Sequence, residues 1–215
     1  SYSEHMSWFD KFGEFNDYFG RLGYILSESR NRVDTLVLHP MKSEYLTFDR
    51  DDDYNSVKDV EVSFEKTIET LGAENIPHHY GDENIMKRHG KVENGKLIVG
   101  NYAYTYVYIP EMKDMDKNTL RLLTEFTAQG GKLVIEGKKP AYLEGEKYPF
   151  DELKATATLE DIEKSVEYKI NGGNGRIRSA YREGDFGTFL YVVNLDEKEA
   201  EVEIKLQSAY PYGYD

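Results

Sequence analysis

Apolar residues recur at alternating spacings of four and three near the start of the chain: Trp8, Phe12, Phe15, Phe19, Leu22 and Leu26. That spacing lays them on one stripe of a helix over residues 7–29. Phe9, Tyr18 and Ile25 widen the stripe, and Ser7 is placed to cap the N-terminus. Gly13, Gly20 and Gly23 each weaken such a helix by up to about 1 kcal/mol relative to Ala, which makes sense where another backbone packs close. The period then changes. Val33 to Pro40 reads VDTLVLHP, a Val- and Leu-rich run ended by proline, and predicts a buried parallel strand. Met41 to Asn55 reads as a long polar loop. Val57, Val60, Phe64, Ile68 and Leu71 predict the next helix, capped by Ser56 with Asp59 in the capping-box position and closed by Gly72.

Asn75 to Tyr80 reads as a second short strand, and Asp82 to Arg88 as a short helix closed by Gly90. Asn94-Gly95 between two β-like runs signals a type I′ hairpin. Tyr102 to Ile109 reads as a central strand stopped by Pro110, with Tyr102, Tyr104, Tyr106 and Tyr108 on one face. Asp116 caps a helix carrying Leu120, Leu123 and Phe126, and Gly130-Gly131 ends it before the strand KLVIEG at 132–137. Strands and helices thus alternate, which predicts an α/β fold: a doubly wound, mainly parallel, flavodoxin-like sheet. After Pro140 the texture changes. Lys138 to Tyr148 is loop, and Leu159 to Ser165 is a helical turn. Arg176–Arg182, Thr188–Asn194 and Ala200–Leu206 then read as a small antiparallel β segment, the start of a β-sandwich.

Charge and composition narrow the chemistry. Forty acidic residues oppose 27 basic ones, for a net charge of -13 over 215 residues. Such a chain is a poor partner for nucleic acid, whose phosphates are neutralised by Lys and Arg, and anionic lipid repels it. There is no cysteine, which excludes disulfides, thiolate metal sites and a cysteine nucleophile. No apolar run approaches the ~20 residues that span a bilayer, and no basic start leads into an apolar signal segment. The compartment stays open, with the cytoplasm favoured.

In doubly wound sheets ligands bind outside the carboxyl ends of the strands. That rim carries the candidate substrate-contacting residues His39, Glu44, Tyr45 and Glu111. No Gly-rich phosphate cradle follows the first strand, so no flavin or other cofactor is expected. Gly172-Gly173-Asn174-Gly175 reads as a turn. Asp49, Asp51, Asp53 and Asn55 alternate as in an EF-hand loop, but Tyr54 and Val60 stand where that loop needs Gly and Glu, so a solvated acidic loop is favoured. His78 and His79 are adjacent, face opposite sides of a strand and do not easily share a metal; none is expected. No G-x-S-x-G elbow is present. With 40 acids available, no glycosidase pair is singled out.

The order of these segments resembles a region of large bacterial glycoside hydrolases. YFGRLGYILSESRNRVDTLVLHPMKSEY at 18–45, GKLIVGNYAYTYVYIPEM at 95–112 and LRLLTEFTAQGGKLVIEG at 120–137 are similar to the amidotransferase-like domain of rhamnosidase-type and β-galactosidase-type enzymes. The resemblance covers roughly residues 8–140. It implies a barrel-exit helix over 1–30, a flavodoxin-like domain over 31–140, and a linker with the start of a β-sandwich over 141–215. It also implies that the catalytic residues sit on a preceding barrel and that none lies in this chain. The domain's partners would be that barrel, a carbohydrate substrate at its entrance, and further copies in a homo-oligomer. The alternative is a free-standing small-molecule or carbohydrate-binding module, or a small hydrolase, using the rim around His39, Glu44 and Tyr45.

Overall fold

The computed structural model describes residues 5–48, 51, 55–173 and 175–206. In chain order the elements are a 3-10 turn (Phe9–Lys11), α1 (Phe12–Ser27), β1 (Ser29–Asn31), β2 (Thr35–Leu38), α2 (Met41–Thr47), α3 (Asn55–Ala73), β3 (His78–Gly81), α4 (Glu83–His89), β4 (Gly90–Glu93), β5 (Lys96–Val99), β6 (Tyr102–Tyr104) and β7 (Tyr106–Ile109). They continue with β8 (Asp114–Met115), α5 (Lys117–Ala128), β9 (Lys132–Ile135), β10 (Tyr142–Leu143), β11 (Glu146–Lys147), α6 (Leu159–Ser165), β12 (Tyr168–Gly172), β13 (Ile177–Gly184), β14 (Gly187–Asn194) and β15 (Val202–Leu206). The chain divides into two compact units, Ser1–Arg32 with Ala180–Tyr191, and Val33–Ser179 with Val192–Asp215.

The second unit is a mixed α/β structure organised by a four-stranded parallel sheet in the order β3-β2-β7-β9. All four residues of β2, TLVL, are buried. A parallel strand covered on both faces has no solvent side to reserve for polar residues. Successive side chains leave a strand on opposite faces, and two cores follow from that. Leu36, Leu38, Val107, Ile109 and Leu133 pack with Met86 of α4 and with Leu120, Leu122, Leu123 and Phe126 of α5. Val37, Tyr108 and Val134 pack with Phe64 and Leu71 of α3 and with Ile162 of α6. The β4–β5 hairpin turns on Asn94 and Gly95, both at positive φ (53° and 72°), as a type I′ turn requires. α6 begins with a complete capping box between Thr158 and Asp161.

Several sequence expectations are corrected. The first half of the expected 41–55 loop is helical: α2 is fixed by Ser43, whose Oγ accepts the Lys113 and Asp114 amides at 2.9 and 3.0 Å. That anchor comes from a segment 70 residues away, so local propensity carries no trace of it. The Tyr102–Ile109 run is two strands. Asp34 accepts the Thr105 and Tyr106 amides at the break, β6 pairs with β5, and β7 pairs with β2. Tyr104 therefore enters the first core and Tyr108 the second. The late strands are not one sandwich sheet. β15 pairs antiparallel with β12, a strand absent from the expected set, while β13 lies between β1 and β14. Most of the Asp49–Asp53 run falls outside the described residues, as does the Ser56 side chain.

In the first unit the expected Ser7 cap gives way to the 3-10 turn, and α1 follows it. Arg182 secures the end of α1. Its guanidinium donates to the carbonyls of Leu26 and Ser29, at 2.8 and 2.7 Å, and to the Ser29 hydroxyl at 2.8 Å. Arg32 lies over the Tyr181 ring, 5.2 Å from its centroid. No residue of α1 is buried, and a Cβ built on Gly13, Gly20 or Gly23 meets nothing within 4 Å. The close backbone expected at those glycines is not found among the described residues. Along α1 the rings of Phe12 and Phe15 stack at 6.1 Å, and those of Phe15 and Phe19 meet at 4.4 Å.

Phe126 of the first core is fully buried, and Gly131 leaves that ring its space: a Cβ there would lie 2.3 Å from Phe126 Cδ2. Phe126→Ala is expected to cost about 3–5 kcal/mol, read as a lower urea midpoint. Gly131→Ala is expected to destabilise as well, by forcing the ring out of place.

Candidate functional site

The carboxyl ends of β2, β3 and β7 lead into α2, α4 and the segment 112–116. Four charged side chains from those three connections converge. Lys42 stands in the first turn of α2. Glu83 is the first residue of α4, directly after the N-cap Asp82, whose own side chain accepts the Ile85 amide at 2.9 Å. Asp114 belongs to β8, and Asp116 precedes α5. The three carboxylates are almost inaccessible: Glu83 is 4 % exposed, Asp114 1 % and Asp116 2 %.

Each is held by specific partners. The Lys42 ammonium donates a hydrogen bond to Asp116 Oδ1. Asp116 sits at the N-cap position as expected, but its side chain makes no cap bond and turns to Lys42. The Asp116 amide donates to Glu83 Oε1 at 2.9 Å. Asp114 Oδ1 accepts the Gly145 amide at 2.8 Å. That amide is aimed by the Glu144-Gly145 turn between β10 and β11, both residues at positive φ (52° and 84°). Glycine adopts this geometry freely, whereas Glu144 is strained in it.

Burial raises the pKa of Glu83, because desolvation penalises the anion more than the Asp116 amide stabilises it. Asp114 is raised for the same reason, with the Gly145 amide opposing. Burial alone would lower Lys42. The hydrogen bond to Asp116 and the charges of Asp116, Glu83 and Asp114 outweigh it and raise its pKa, keeping it charged.

Beside this cluster lies a cavity of about 280 Å³ lined by Lys42, Tyr45, Leu46, Lys87, Asp114, Asp116 and Glu144. Of the four rim residues marked in the sequence, Tyr45 lines it, and its ring is exposed. Glu44 is half-buried on the same helix but is not part of the lining. His39 is elsewhere. Its ring meets Phe64 edge-on at 4.9 Å and Tyr80 at 6.4 Å, and its buried Nδ1 makes no hydrogen bond among the described residues. Glu111 is exposed beside Gly137. The rim candidates are therefore not one constellation. Lys42, Glu83, Asp114 and Asp116 carry no motif spacing, and the signal available was their position, each just past a strand end.

The histidines do not converge either. His78 Nδ1 donates to the Ile76 carbonyl at 2.8 Å, while His79 Nδ1 meets the Tyr104 hydroxyl at 2.9 Å. Burial lowers the pKa of both and pushes the Tyr104 phenol up to about 12. Among the described residues no three His, Asp or Glu side chains are grouped to hold a metal ion. No helix among them is long and apolar enough to cross a membrane.

No family profile matches the chain, and no curated protein sequence matches it. Solved structures do. An exo-carrageenase of glycoside hydrolase family 42 from Bacteroides ovatus superposes with a TM-score of 0.51 at 12% identity, over 81% of this chain and 24% of that one. A β-galactosidase from Bacillus circulans sp. alkalophilus gives 0.43 at 14% identity, over 93% of this chain and 29% of that one. The likeness is one of fold. The chain spans 24% of the length of the first enzyme and 29% of the second.

Two predictions follow from the cluster's charges. Glu83 has a folded-state pKa above its unfolded value, so it binds its proton more tightly when folded and its contribution to stability falls as pH rises from about 4.5. Glu83→Gln keeps the acceptor for the Asp116 amide and removes the charge. Its melting temperature is expected above wild type at pH 7–8, with the gap closing on acidification below the unfolded pKa. Lys42→Met leaves Asp116 without its counter-charge. It is expected to cost about 2–3 kcal/mol in urea unfolding, below the full buried-pair range because Lys42 is itself a third exposed.

Proposed function

We propose that the chain is a non-catalytic portion of a glycoside hydrolase. In this view the second unit is a doubly wound, flavodoxin-like domain of the amidotransferase-like type that packs against a catalytic barrel, helps to shape the substrate entrance and contributes to assembly. The observation that carries the proposal is the fold shared with the family 42 exo-carrageenase over 81% of this chain but 24% of that one. A likeness of that extent is what a part of such an enzyme gives. The 2-1-3-4 order of the parallel strands and the cores on both sheet faces support the doubly wound arrangement. The buried carboxylates support a non-catalytic role. Asp114 and Asp116 are each committed to a structural partner, and Glu83 accepts a backbone amide. The aromatic stripe of α1, with no buried residue, is a surface for the rest of the enzyme.

The chain by itself is expected to show no turnover of nitrophenyl glycosides. Turnover that disappears in His39→Ala would overturn the proposal and favour a small hydrolase. The coding sequence upstream of Ser1 is expected to encode a barrel-length stretch, and a reading frame without one would equally overturn it. Gly23→Ala is expected to stabilise α1 by up to about 1 kcal/mol in the isolated chain, since nothing occupies that space within it. In the full enzyme the same change is expected to loosen the packing of α1, read as faster amide exchange over residues 12–27.

A further inference from the structure

α1 turns its less apolar side to its own unit. Tyr24 stands on the side of the helix opposite the stripe. Its ring meets that of Phe186, at the β13–β14 turn, with centroids 6.4 Å apart, so the stripe is directed outward. Trp8, Phe9, Phe15, Tyr18 and Phe19 are each between 38 and 55% exposed. A helix of 16 residues with three glycines is marginal in water unless its apolar face is packed.

The stripe is complementary to itself read backwards. Trp8, Phe12, Phe15, Phe19, Leu22 and Leu26 follow one another at four, three, four, three and four residues. That is the a/d spacing of a two-stranded coiled coil, and it is the same from either end, with Asp17 at its centre. An antiparallel copy therefore sets Trp8 level with Leu26, Phe12 with Leu22 and Phe15 with Phe19, so that large rings mostly meet leucines. Asp17 itself lies on the outer side of the helix, which keeps the two carboxylates apart. A parallel copy would stack four aromatic layers at one end and two leucine layers at the other, and would bring like ends of the helix dipoles together. At roughly 150–250 Å² per aromatic side chain, the exposed parts of the five rings supply on the order of 500 Å² per copy. Two copies thus reach the ~1,000 Å² that a specific interface needs.

We infer that α1 pairs antiparallel with α1 of a second copy of this chain, about a two-fold axis at Asp17, with the six stripe residues as its layers. The pairing lies wholly within the first unit. It names a second copy as the part of the enzyme that meets the stripe. It rests on the proposed assembly role only for its place in an enzyme, since the layers are a property of this chain.

The test is sedimentation equilibrium of the full chain from about 1 to 100 μM, where a reversible dimer is expected with a dissociation constant on the order of 10 μM. Phe19→Glu sets a carboxylate against Phe15 of the other copy in two layers. It is expected to weaken the dimer about a hundredfold or more and to leave the monomer folded, read as an unchanged melting temperature at the lowest concentration. Tyr24→Ser, on the opposite side of the helix, is expected to keep the dimer. The chain has no cysteine, so Ser27→Cys takes a single spin label. Ser27 lies ten residues past the axis, which separates the two labels by about 30 Å along an antiparallel pair, whereas a parallel pair holds them level. A monomer at every concentration overturns the inference. So does a label distance of the parallel kind, a dimer that Phe19→Glu leaves intact or that Tyr24→Ser dissolves equally, or flotation of the chain with phosphatidylcholine vesicles at the expense of the dimer. None of these outcomes depends on glycoside turnover or on the upstream reading frame. A failure here leaves the accessory role standing, and a failure of that role leaves the pairing to be judged by sedimentation alone.

Discussion

The architecture of the second unit depends on a parallel sheet whose central strand β2 is covered on both faces. β2 has no exposed residue, and its alternate side chains feed two separate cores. Such a sheet has to be covered twice, and each covering helix has to be reached by a chain that leaves a strand at its carboxyl end. The connections therefore gather at one edge of the layer. Polar residues excluded from the strands collect there, which is how Lys42, Glu83, Asp114 and Asp116 become neighbours although 74 residues separate the first from the last.

Desolvation sets the character of that edge. Three carboxylates lie out of water with one ammonium between them, and each is stabilised by a specific donor: the Asp116 amide for Glu83, the Gly145 amide for Asp114, the Lys42 ammonium for Asp116. A buried ion pair adds little net stability once its dehydration is counted. Its value here is positional. It ties α2 to the start of α5, while Ser43 ties the same helix to β8. The short helix is thereby held by contacts that its own seven residues do not encode.

The difference between local and distant causes also decides what could be read from the sequence. The helix stripes, the type I′ turn at Asn94-Gly95, the short α4 behind Asp82 and the buried strands were legible, because each depends on residues within one element. The helix at 41–47 was not, because its anchors lie in 113–116. The Tyr102–Ile109 run was misleading. Its two-residue alternation is real, but the Asp34 carbonyl takes two successive amides and divides the run between two sheets. At the site, Tyr45 was legible as a rim aromatic. Lys42, Glu83 and Asp114 were not, since nothing in their spacing marks residues that meet through three different strand ends.

The two crossings between units carry a consequence for folding. The chain leaves the second unit after Ser179, contributes 180–191 to the first, and returns at Val192. β12 and β15 then pair across that excursion, Tyr168 opposite Leu206. Their ladder closes a loop that contains a piece of the other unit. Closing such a loop early costs chain entropy with little local return, so the ladder belongs to the late events of folding and fastens what has already formed. Once fastened, the second unit cannot unravel completely without opening that clasp, whereas the excursion it brackets can come and go as a closed loop.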